Sequence, residues 1–289
     1  MSDHSGVLYI VATPLGNLGD MSQRAIETLQ RVDLIAAEDT RHSKKLLVHF
    51  GIDKPMIAFH EHNERDRSSE ILAQLQAGRQ IALISDAGTP LISDPGYHLV
   101  RQLHDAGIRV VPIPGPSAVI TALCAAGLPT DHFCFEGFLP SKAVARDKYL
   151  SHLVRETRTL VFYESPHRLL ETLKSMLHVF GLARRVTLAR ELTKTFETIR
   201  QDTIANIVSW VEANPEQQKG ESVLIVEGAV AQPSDRVEVD SDKLLLTLLT
   251  HMSVKDAAHH AAQLTGQGKN ELYQRALQIK QGAGDVSQT

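Results

Sequence analysis

The sequence predicts a protein of two α/β domains followed by a small helical tail. The chain has 289 residues, which is enough for about two domains. Short apolar runs alternate with helical patterns along most of it, as is typical of α/β proteins. We expect an N-terminal α/β domain over residues 1–126, a second, basic α/β domain over 127–230, a polar linker over 231–240 and a helical tail over 241–289.

Five apolar runs predict the strands of the N-terminal domain, at residues 7–12, 32–37, 56–59, 81–84 and 108–113. Helical patterns follow them, one after Ser22, three at residues 44–50, 64–76 and 97–106, and one that ends at residue 126. Ser22 suits the N-cap of the first helix and Gly78 suits the end of the third. Because helices separate consecutive strands, the pattern predicts a mainly parallel sheet covered on both faces.

The second domain is expected to begin after residues 127–131, where Gly127 and Pro129 interrupt the regular patterns. Its strands are expected at residues 133–138, 159–163, 186–192 and 222–226. Its helices are expected at residues 143–155, 166–180 and 204–211. Pro166 suits the first turn of the second of these helices.

Three short helical patterns make up the tail, at residues 244–249, 254–264 and 271–279. A glycine-containing turn at 265–270 joins the last two, which fits a helix-turn-helix. From residue 240 onward the tail has 5 Lys/Arg and 5 Asp/Glu and is therefore neutral. Its pattern leaves three roles open: binding RNA, contacting a partner, or packing as a cap.

Positive charge is concentrated in the second domain. Residues 142–200 contain 12 Lys/Arg and 6 Asp/Glu, whereas the whole chain has a net charge of −4. A basic region inside an acidic protein indicates an anionic partner, such as a nucleic-acid backbone. Solvated helix faces with a few ion pairs would give the same composition.

Composition also argues against membrane and disulfide-rich secreted proteins. No run approaches the roughly 18 apolar residues of a membrane span, and the start of the chain lacks a signal-peptide pattern. The two cysteines, Cys124 and Cys134, require no disulfide framework. We therefore expect a cytoplasmic protein that does not bind membranes.

Three loops rich in Gly, Pro and small polar residues each follow a predicted strand of the N-terminal domain. They cover residues 12–20, 85–96 and 114–118. Parallel strands bring their carboxyl ends to one edge of a sheet, so these loops are expected to converge on a ligand. The loops match neither G-x-G-x-x-G nor a Gly-Lys-Ser/Thr phosphate loop, which disfavours ordinary dinucleotide and triphosphate sites.

Five segments carry a resemblance to a known family. They are VATPLGNLGD at 11–20, AEDTR at 37–41, SDAGTP at 85–90, FYESPHR at 162–168 and ARELTK at 189–194. Through them residues 7–229 resemble the tetrapyrrole methylase superfamily of S-adenosylmethionine (SAM) enzymes, and the tail resembles the helix-turn-helix extension of its ribosomal RNA branch. Porphyrin-precursor methylases usually have G-x-G-P-G-D where this chain has LGNLGD, and Gly-Asp-Pro where it has Gly88-Thr89-Pro90. Both departures favour the ribosomal RNA branch.

The resemblance implies two α/β domains with SAM in the cleft between them, usually in a homodimer. The implied reaction is 2′-O-methylation of a cytidine in the decoding region of 16S rRNA, within the small ribosomal subunit. Methyl transfer from a sulfonium needs alignment and removal of the hydroxyl proton, and no metal. Motif matching implies SAM contacts at Leu15, Thr89, Ile92, Ser117 and Ala118.

Several residues could remove the hydroxyl proton: Glu38, Asp39, Glu164, His167 and Glu191. Each has a structural alternative, such as capping a helix or pairing with a nearby arginine or lysine. We expect Glu38, Asp39 and Arg41 to lie on the substrate side and to take part in catalysis, because they end a strand of the SAM-binding sheet.

Substrate contacts are expected from the second domain, at Glu164, His167, Arg168, Arg190 and Lys194. The cations among them, together with Arg41, suit phosphate contacts. No metal site is expected, because the histidine pairs at 60/62 and 259/260 lack a supporting cluster of Cys, Asp or Glu at ligand spacing.

Two other functions stay open at this point. One is a methyltransferase that acts on a tetrapyrrole-like small molecule. The other is a non-catalytic RNA-binding assembly factor that has kept the fold.

Overall fold

Parallel pairing of five short strands forms the first sheet of the protein. The computed structural model describes residues 6–230 and 240–285, and the chain divides into two units, 1–229 and 230–289. Both sheets belong to the first unit.

The strands of the first sheet are β1 (Val7–Val11), β2 (Leu34–Ala37), β3 (Met56–Ala58), β4 (Gln80–Ile84) and β5 (Arg109–Ile113). They lie in the order β3-β2-β4-β1-β5, and every pairing is parallel. The helices of this half are α1 (Gln23–Arg31), α2 (Thr40–His49), α3 (Glu64–Gln76), α4 (Tyr97–Asp105) and α5 (Ala118–Ala125). The predicted parallel sheet is confirmed, and the carboxyl ends of its strands share one edge.

Both faces of the sheet are buried at the strands β2 and β4. In β2, Ile35 and Ala37 belong to one apolar cluster, whereas Leu34 and Ala36 belong to the cluster on the other face. Successive side chains of a strand point to opposite faces, so a strand covered on both sides is apolar at every position. This is why β2 and the residues of β4 after Gln80 appear in the sequence as continuous apolar runs.

Side-chain caps determine where the first two helices begin. The Ser22 hydroxyl accepts a hydrogen bond from the Ala25 N–H at 3.1 Å, which confirms its predicted role. The second helix begins at Thr40, four residues before its predicted start, because the Asp39 carboxylate accepts the Arg41 N–H at 2.8 Å.

The second sheet is mixed. Its strands are β6 (Phe133–Phe138), β7 (Thr159–Glu164), β8 (Arg185–Arg190), β9 (Thr198–Thr203) and β10 (Ser222–Val226), in the order β6-β7-β10-β8-β9. β6 and β7 run parallel, and the other three pairings are antiparallel. Its helices are α6 (Ala143–His152), α7 (Leu169–Phe180) and α8 (Ile204–Ala213). One apolar core joins them to the sheet through Leu150, Phe162, Leu173 and Ile207.

The structure of this half differs from the prediction in two places. The strand β9 was not predicted, because its sequence, TIRQDT, contains one large apolar residue and an edge strand that stays partly exposed has no apolar run. Helix α7 begins at Leu169 rather than at Pro166, because the Arg168 N–H donates to the Ser165 carbonyl at 3.1 Å. Pro166 therefore lies inside a tight turn, where its restricted φ is favourable.

The second unit is helical, as predicted. It contains α9 (Ser241–Leu249), α10 (Val254–Thr265) and α11 (Lys269–Asp285). The three helices share a small core that includes Leu245, Ala257, Leu272 and Ala276. Gly266 ends α10 with φ 71°, a conformation that glycine adopts without strain. Among the described residues, no helix is long and apolar enough to cross a bilayer.

Phe162 provides a test of the second core. It is fully buried, and the Phe162→Ala substitution is expected to lower the free energy of unfolding by about 3–5 kcal/mol because it leaves a cavity. The single tryptophan, Trp210, packs against the same core, so its fluorescence during urea unfolding reports on this half of the protein. Val144→Ala is the control, since Val144 is 84% exposed. Equal stability losses in the two variants would contradict this description of the core.

Candidate functional site

A cavity of about 410 Å³ lies between the carboxyl edge of the first sheet and the second sheet. Its volume is within the range of about 300–1,000 Å³ that is usual for small-molecule sites. The first half of the chain contributes loop residues and the second half contributes strand ends. The lining residues are Leu15, Ala87, Gly88, Thr89, Ile92, Ser93, Asp94, Ser117, Ala118, Phe138, Tyr163, Glu164, Ser165, Pro166, Leu192, Glu221, Ser222 and Val223.

The three predicted loops do converge. Thr13 and Gly88 exchange backbone hydrogen bonds, with N···O distances of 2.8 and 3.0 Å. The Thr89 hydroxyl donates to the Pro116 carbonyl at 2.9 Å, which joins the second loop to the third. Gly88 has φ 82°, and a Cβ there would lie 3.2 Å from the Leu15 side chain. Backbone therefore forms part of the cavity wall.

The second loop contains unusual backbone conformations next to the cavity. Leu91 and Ser93 have φ values of 74° and 68°, in the left-handed region that residues other than glycine seldom adopt. Ile92, Ser93 and Asp94 all line the cavity. Strained backbone of this kind is typical of ligand-binding segments and persists when surrounding contacts enforce it.

The second half of the chain contacts the first loop directly. A Cβ at Gly16 would collide with the side chain of Lys194. The Lys194 ammonium lies 2.9 Å from a Glu191 carboxylate oxygen and 3.0 Å from one of Glu221. The position of Lys194, and with it that of the cavity-lining Glu221, therefore depends on the absence of a side chain at Gly16.

All five residues that the resemblance assigns to the cofactor line this cavity: Leu15, Thr89, Ile92, Ser117 and Ala118. Leu15 and Ala118 pack against an apolar cluster that also includes Tyr163 of β7. The structure thus brings the five together with an apolar wall that the second sheet completes.

The cavity is acidic. Asp94, Glu164 and Glu221 line it, and none of the lining residues in the described part of the chain is Lys, Arg or His. Burial raises the pKa of Asp94 to about 6, the nearby charges of Glu38 and Asp86 add to this shift, and a hydrogen bond with Ser85 opposes it. Burial, with the charge of Asp94, also raises the pKa of Tyr163 to about 12. A cationic ligand would be favoured here.

Asp94 was absent from the predicted site residues. In the sequence it is one of several polar residues of the loop at 85–96, and its neighbours Pro95 and Gly96 suggest an ordinary turn. Its position beside Glu38 and Asp86 depends on contacts between segments far apart in the chain, and local pattern does not report such contacts.

The predicted catalytic residues lie at the carboxyl edge, beside the cavity wall rather than in it. Glu38 accepts the Asp86 N–H at 3.3 Å, and partial burial raises its pKa. Asp39 caps α2 and pairs with Arg41 at 3.0 Å; the hydrogen bonds from Arg41 lower the pKa of Asp39 to about 2. The Arg41 side chain is 90% exposed.

The predicted substrate residues near α7 differ in accessibility. Glu164 lines the cavity, but its carboxylate is buried and accepts the Ser165 N–H at 2.8 Å and the Thr172 hydroxyl. Arg168 pairs with it at 3.5 Å and donates to the Leu139 carbonyl at 2.6 Å. His167 is exposed.

Arg190 and Lys194 are engaged within the protein. Arg190 is 6% exposed and donates to the Lys219 carbonyl at 2.9 Å and to the Phe196 carbonyl at 3.2 Å. Lys194 pairs with Glu191 and Glu221, as described above. Exposure is the property that separates these two cations from Arg41, and it is not visible in the sequence. No cluster of three or more potential metal ligands occurs among the described residues.

Two family models match the chain. Residues 7–208 match the tetrapyrrole (corrin/porphyrin) methylases, and residues 235–280 match the RsmI C-terminal HTH domain. Both fold expectations are thereby confirmed: two α/β sheets of the tetrapyrrole methylase type, followed by a helical domain.

Relatives named ribosomal RNA small subunit methyltransferase I are similar over almost their whole length. The protein of Pasteurella multocida is 54% identical over 278 residues, which cover 96% of this chain and 99% of that protein. The protein of Haemophilus influenzae is 55% identical over 278 residues, which cover 96% and 98%. The protein of Escherichia coli O157:H7 is 55% identical over 273 residues, which cover 94% and 95%.

Solved structures with the same fold are more distant in sequence. A diphthine synthase superposes with a TM-score of 0.59 at 13% identity, covering 79% of this chain and 92% of that structure. The methyltransferase CobJ gives a TM-score of 0.58 at 20% identity, covering 79% and 96%. At these identities the likeness concerns the fold alone.

The internal bonds of Arg190 predict a loss of stability when it is replaced. In Arg190→Gln, two carbonyls lose a charged donor inside the protein, so the free energy of unfolding should fall by about 1–3 kcal/mol. The matched change Arg41→Gln should leave stability within about 0.5 kcal/mol, because Arg41 is exposed. Urea unfolding measures both, and an unaffected Arg190→Gln protein would show that the guanidinium is free for another partner.

Proposed function

The chain belongs to the tetrapyrrole methylase family, and from this premise we propose that it transfers a methyl group from SAM to ribosomal RNA of the small subunit. The acidic cavity at which the three loops converge is the observation that carries the proposal. The choice of RNA as substrate is supported by relatives of that name, which are 54–55% identical over nearly their full length.

The residues of the cavity fit SAM. Its volume of about 410 Å³ suits a ligand of this size. Leu15, Ile92 and Ala118 offer apolar surface for the adenine. The carboxylates that line the cavity, with no basic residue in the described lining, suit the positive sulfonium and ammonium groups. We propose that Thr89 and Ser117 complete the contacts.

The proposed reaction is methylation of the 2′-hydroxyl of a cytidine in the decoding region of 16S rRNA. SAM supplies an electrophilic methyl group on sulfur. The ribose oxygen forms the new bond to the methyl carbon as the sulfur–carbon bond breaks, and the hydroxyl proton must pass to a base. The protein therefore has to align the hydroxyl and accept its proton.

We assign the proton acceptor to Asp94. It lines the cavity together with Tyr163, and the nearby charges of Glu38 and Asp86 help to raise its pKa. The other carboxylates are less suited: Asp39 is tied to Arg41, and Glu164 is buried under several donors. A base with a pKa near the working pH is efficient, and that of Asp94 is about 6.

The residues expected on the substrate side fall into two groups, one with exposed side chains and one whose charged groups are engaged within the protein. We propose that Arg41, held by Asp39 at the carboxyl edge, and His167 contact the RNA, since both are exposed. Glu38 would take part in catalysis by keeping a negative charge beside Asp94. Glu164, Arg168, Arg190 and Lys194 would shape the wall against which the nucleotide lies, because their charged groups already have partners in the protein.

We also propose a cytoplasmic homodimer that acts on the small ribosomal subunit. The dimer is supported by the family resemblance, and the cytoplasm by the nature of the proposed substrate. The two free cysteines, Cys124 and Cys134, agree with a reducing compartment.

Methyl transfer can be measured directly. The purified protein is incubated with labelled SAM and with small ribosomal subunits that lack the modification, and the RNA nucleosides are analysed by mass spectrometry. We expect a gain of 2′-O-methylcytidine in the 16S rRNA. Deproteinised 16S rRNA, used in parallel, shows whether the assembled subunit is required.

Other results would overturn the proposal in different ways. SAM binding without RNA methylation would favour a small-molecule substrate of the tetrapyrrole type. Absence of both SAM binding and methylation would favour a non-catalytic assembly factor.

The role of Asp94 predicts the pH dependence of the reaction. A base works in its deprotonated form, so the single-turnover rate should rise with pH and level off above about 6. Asp94→Asn should lower the rate by about 10²–10⁴-fold and remove this dependence. Its melting temperature at pH 8 should not fall, because the substitution removes a charge that burial disfavours.

Asp105→Asn is the matched control, since Asp105 is exposed at the end of α4. It should react at the wild-type rate at every pH. A wild-type rate in Asp94→Asn would exclude Asp94 as the base.

A further inference from the structure

We propose that Glu64 of α3 is a positioning residue, which holds the cavity segment 91–96 in the conformation that binds the cofactor. The inference rests on the proposed function only for the identity of the ligand. Glu64 itself does not line the cavity. It acts through the backbone that follows Asp94.

Glu64 is a buried carboxylate with two backbone donors from another segment. It is 8% exposed, and its Oε1 atom accepts the N–H of Gly96 at 3.0 Å and that of His98 at 3.1 Å. These N–H groups lie at the start of α4, whose own N-cap residue provides no side-chain bond. A carboxylate from α3 thus caps α4, where free N–H groups and the helix dipole favour negative charge.

The segment that this cap holds is strained. Leu91 and Ser93 have positive φ, and Gly96 has φ 133°. A Cβ at Gly96 would lie 3.0 Å from Leu91 Cγ, so the two ends of the segment are closely packed. Such conformations persist only where the surroundings over-determine them. Without its anchors the segment should therefore populate other conformations.

Two anchors enclose the functional residues. At one end Leu91 packs against the apolar cluster that includes Leu83 of β4. At the other end Glu64 binds Gly96 and His98. Ile92 and Asp94, the proposed cofactor wall and proton acceptor, lie between them. Release of the Glu64 anchor would affect both without removing any atom from the cavity.

Loss of the Glu64 anchor should lower the affinity for the ligand. If only a fraction of molecules holds the binding-competent segment, the apparent Kd rises by the inverse of that fraction. We expect Glu64→Ala to weaken SAM binding about 5- to 20-fold. At saturating SAM the ligand restores the segment, so the methyl-transfer rate should fall less than the affinity.

The chain offers matched variants. In Glu64→Gln one amide oxygen can still accept both N–H groups, so this protein should behave like the wild type and separate the hydrogen bonds from the charge. Asp66 lies on the same helix and, like Glu64, lines a small polar cleft on the surface, but it is exposed and makes no hydrogen bond to the segment in the described structure. Asp66→Ala should therefore change neither the affinity for SAM nor the methyl-transfer rate.

The first measurement needs no ligand. Hydrogen–deuterium exchange of the free protein is followed by mass spectrometry in a peptide that contains residues 91–98. We expect faster exchange in Glu64→Ala, and wild-type exchange in Glu64→Gln and Asp66→Ala. Unchanged exchange in Glu64→Ala would overturn the proposal, whether or not the protein binds SAM.

The second measurement is the Kd of SAM by titration calorimetry, well below the melting temperature of each variant. A residue that only stabilised the fold would lower the melting temperature and leave the Kd of the folded protein unchanged, which would also overturn the proposal. If the wild type itself bound no SAM, the proposed function would fail, while hydrogen exchange would still decide whether Glu64 holds the segment.

Discussion

The parallel register of β4, β1 and β5 is the constraint on which the site depends. It places the carboxyl ends of three strands side by side, so loops from distant parts of the chain meet at one edge. Beyond the strands, an antiparallel bridge joins the first two loops, in which the backbones of Thr13 and Gly88 exchange hydrogen bonds. The cavity follows from the sheet, because strand pairing sets where each loop begins, and side chains such as Leu15, Ile92 and Tyr163 complete its wall.

Negative and positive charges are concentrated in different parts of the protein, which suit different ligands. The cavity wall contains carboxylates and no basic residue in the described lining, whereas the region 142–200 is basic. Many of these cations are already paired, as Arg190 and Lys194 are, so positive charge also serves to hold the second half together. A cationic ligand in the cavity and a polyanion at the basic region would thus each meet charge of the opposite sign.

Sequence reasoning was most accurate where one local signal determines the structure. The bounds of α3, β6 and β10 were predicted correctly, and the loops after the buried strands contained the five cofactor candidates. It missed β9, whose edge position leaves no apolar run. It also missed Asp94 and Glu64, because each is defined by a partner far away in the chain. Exposure, which distinguishes Arg41 from Arg190, is likewise a property of the tertiary structure.

The contact between Gly16 and Lys194 has a consequence for how such proteins can diverge. The first loop lacks a side chain where the lysine lies, and the lysine in turn orders two acidic residues of the other half, Glu191 and Glu221. A larger residue at 16 would be tolerated only together with a change at 194. The two halves are therefore expected to vary as a pair, and a chimaera that joins halves from distant relatives would have to restore both positions at once.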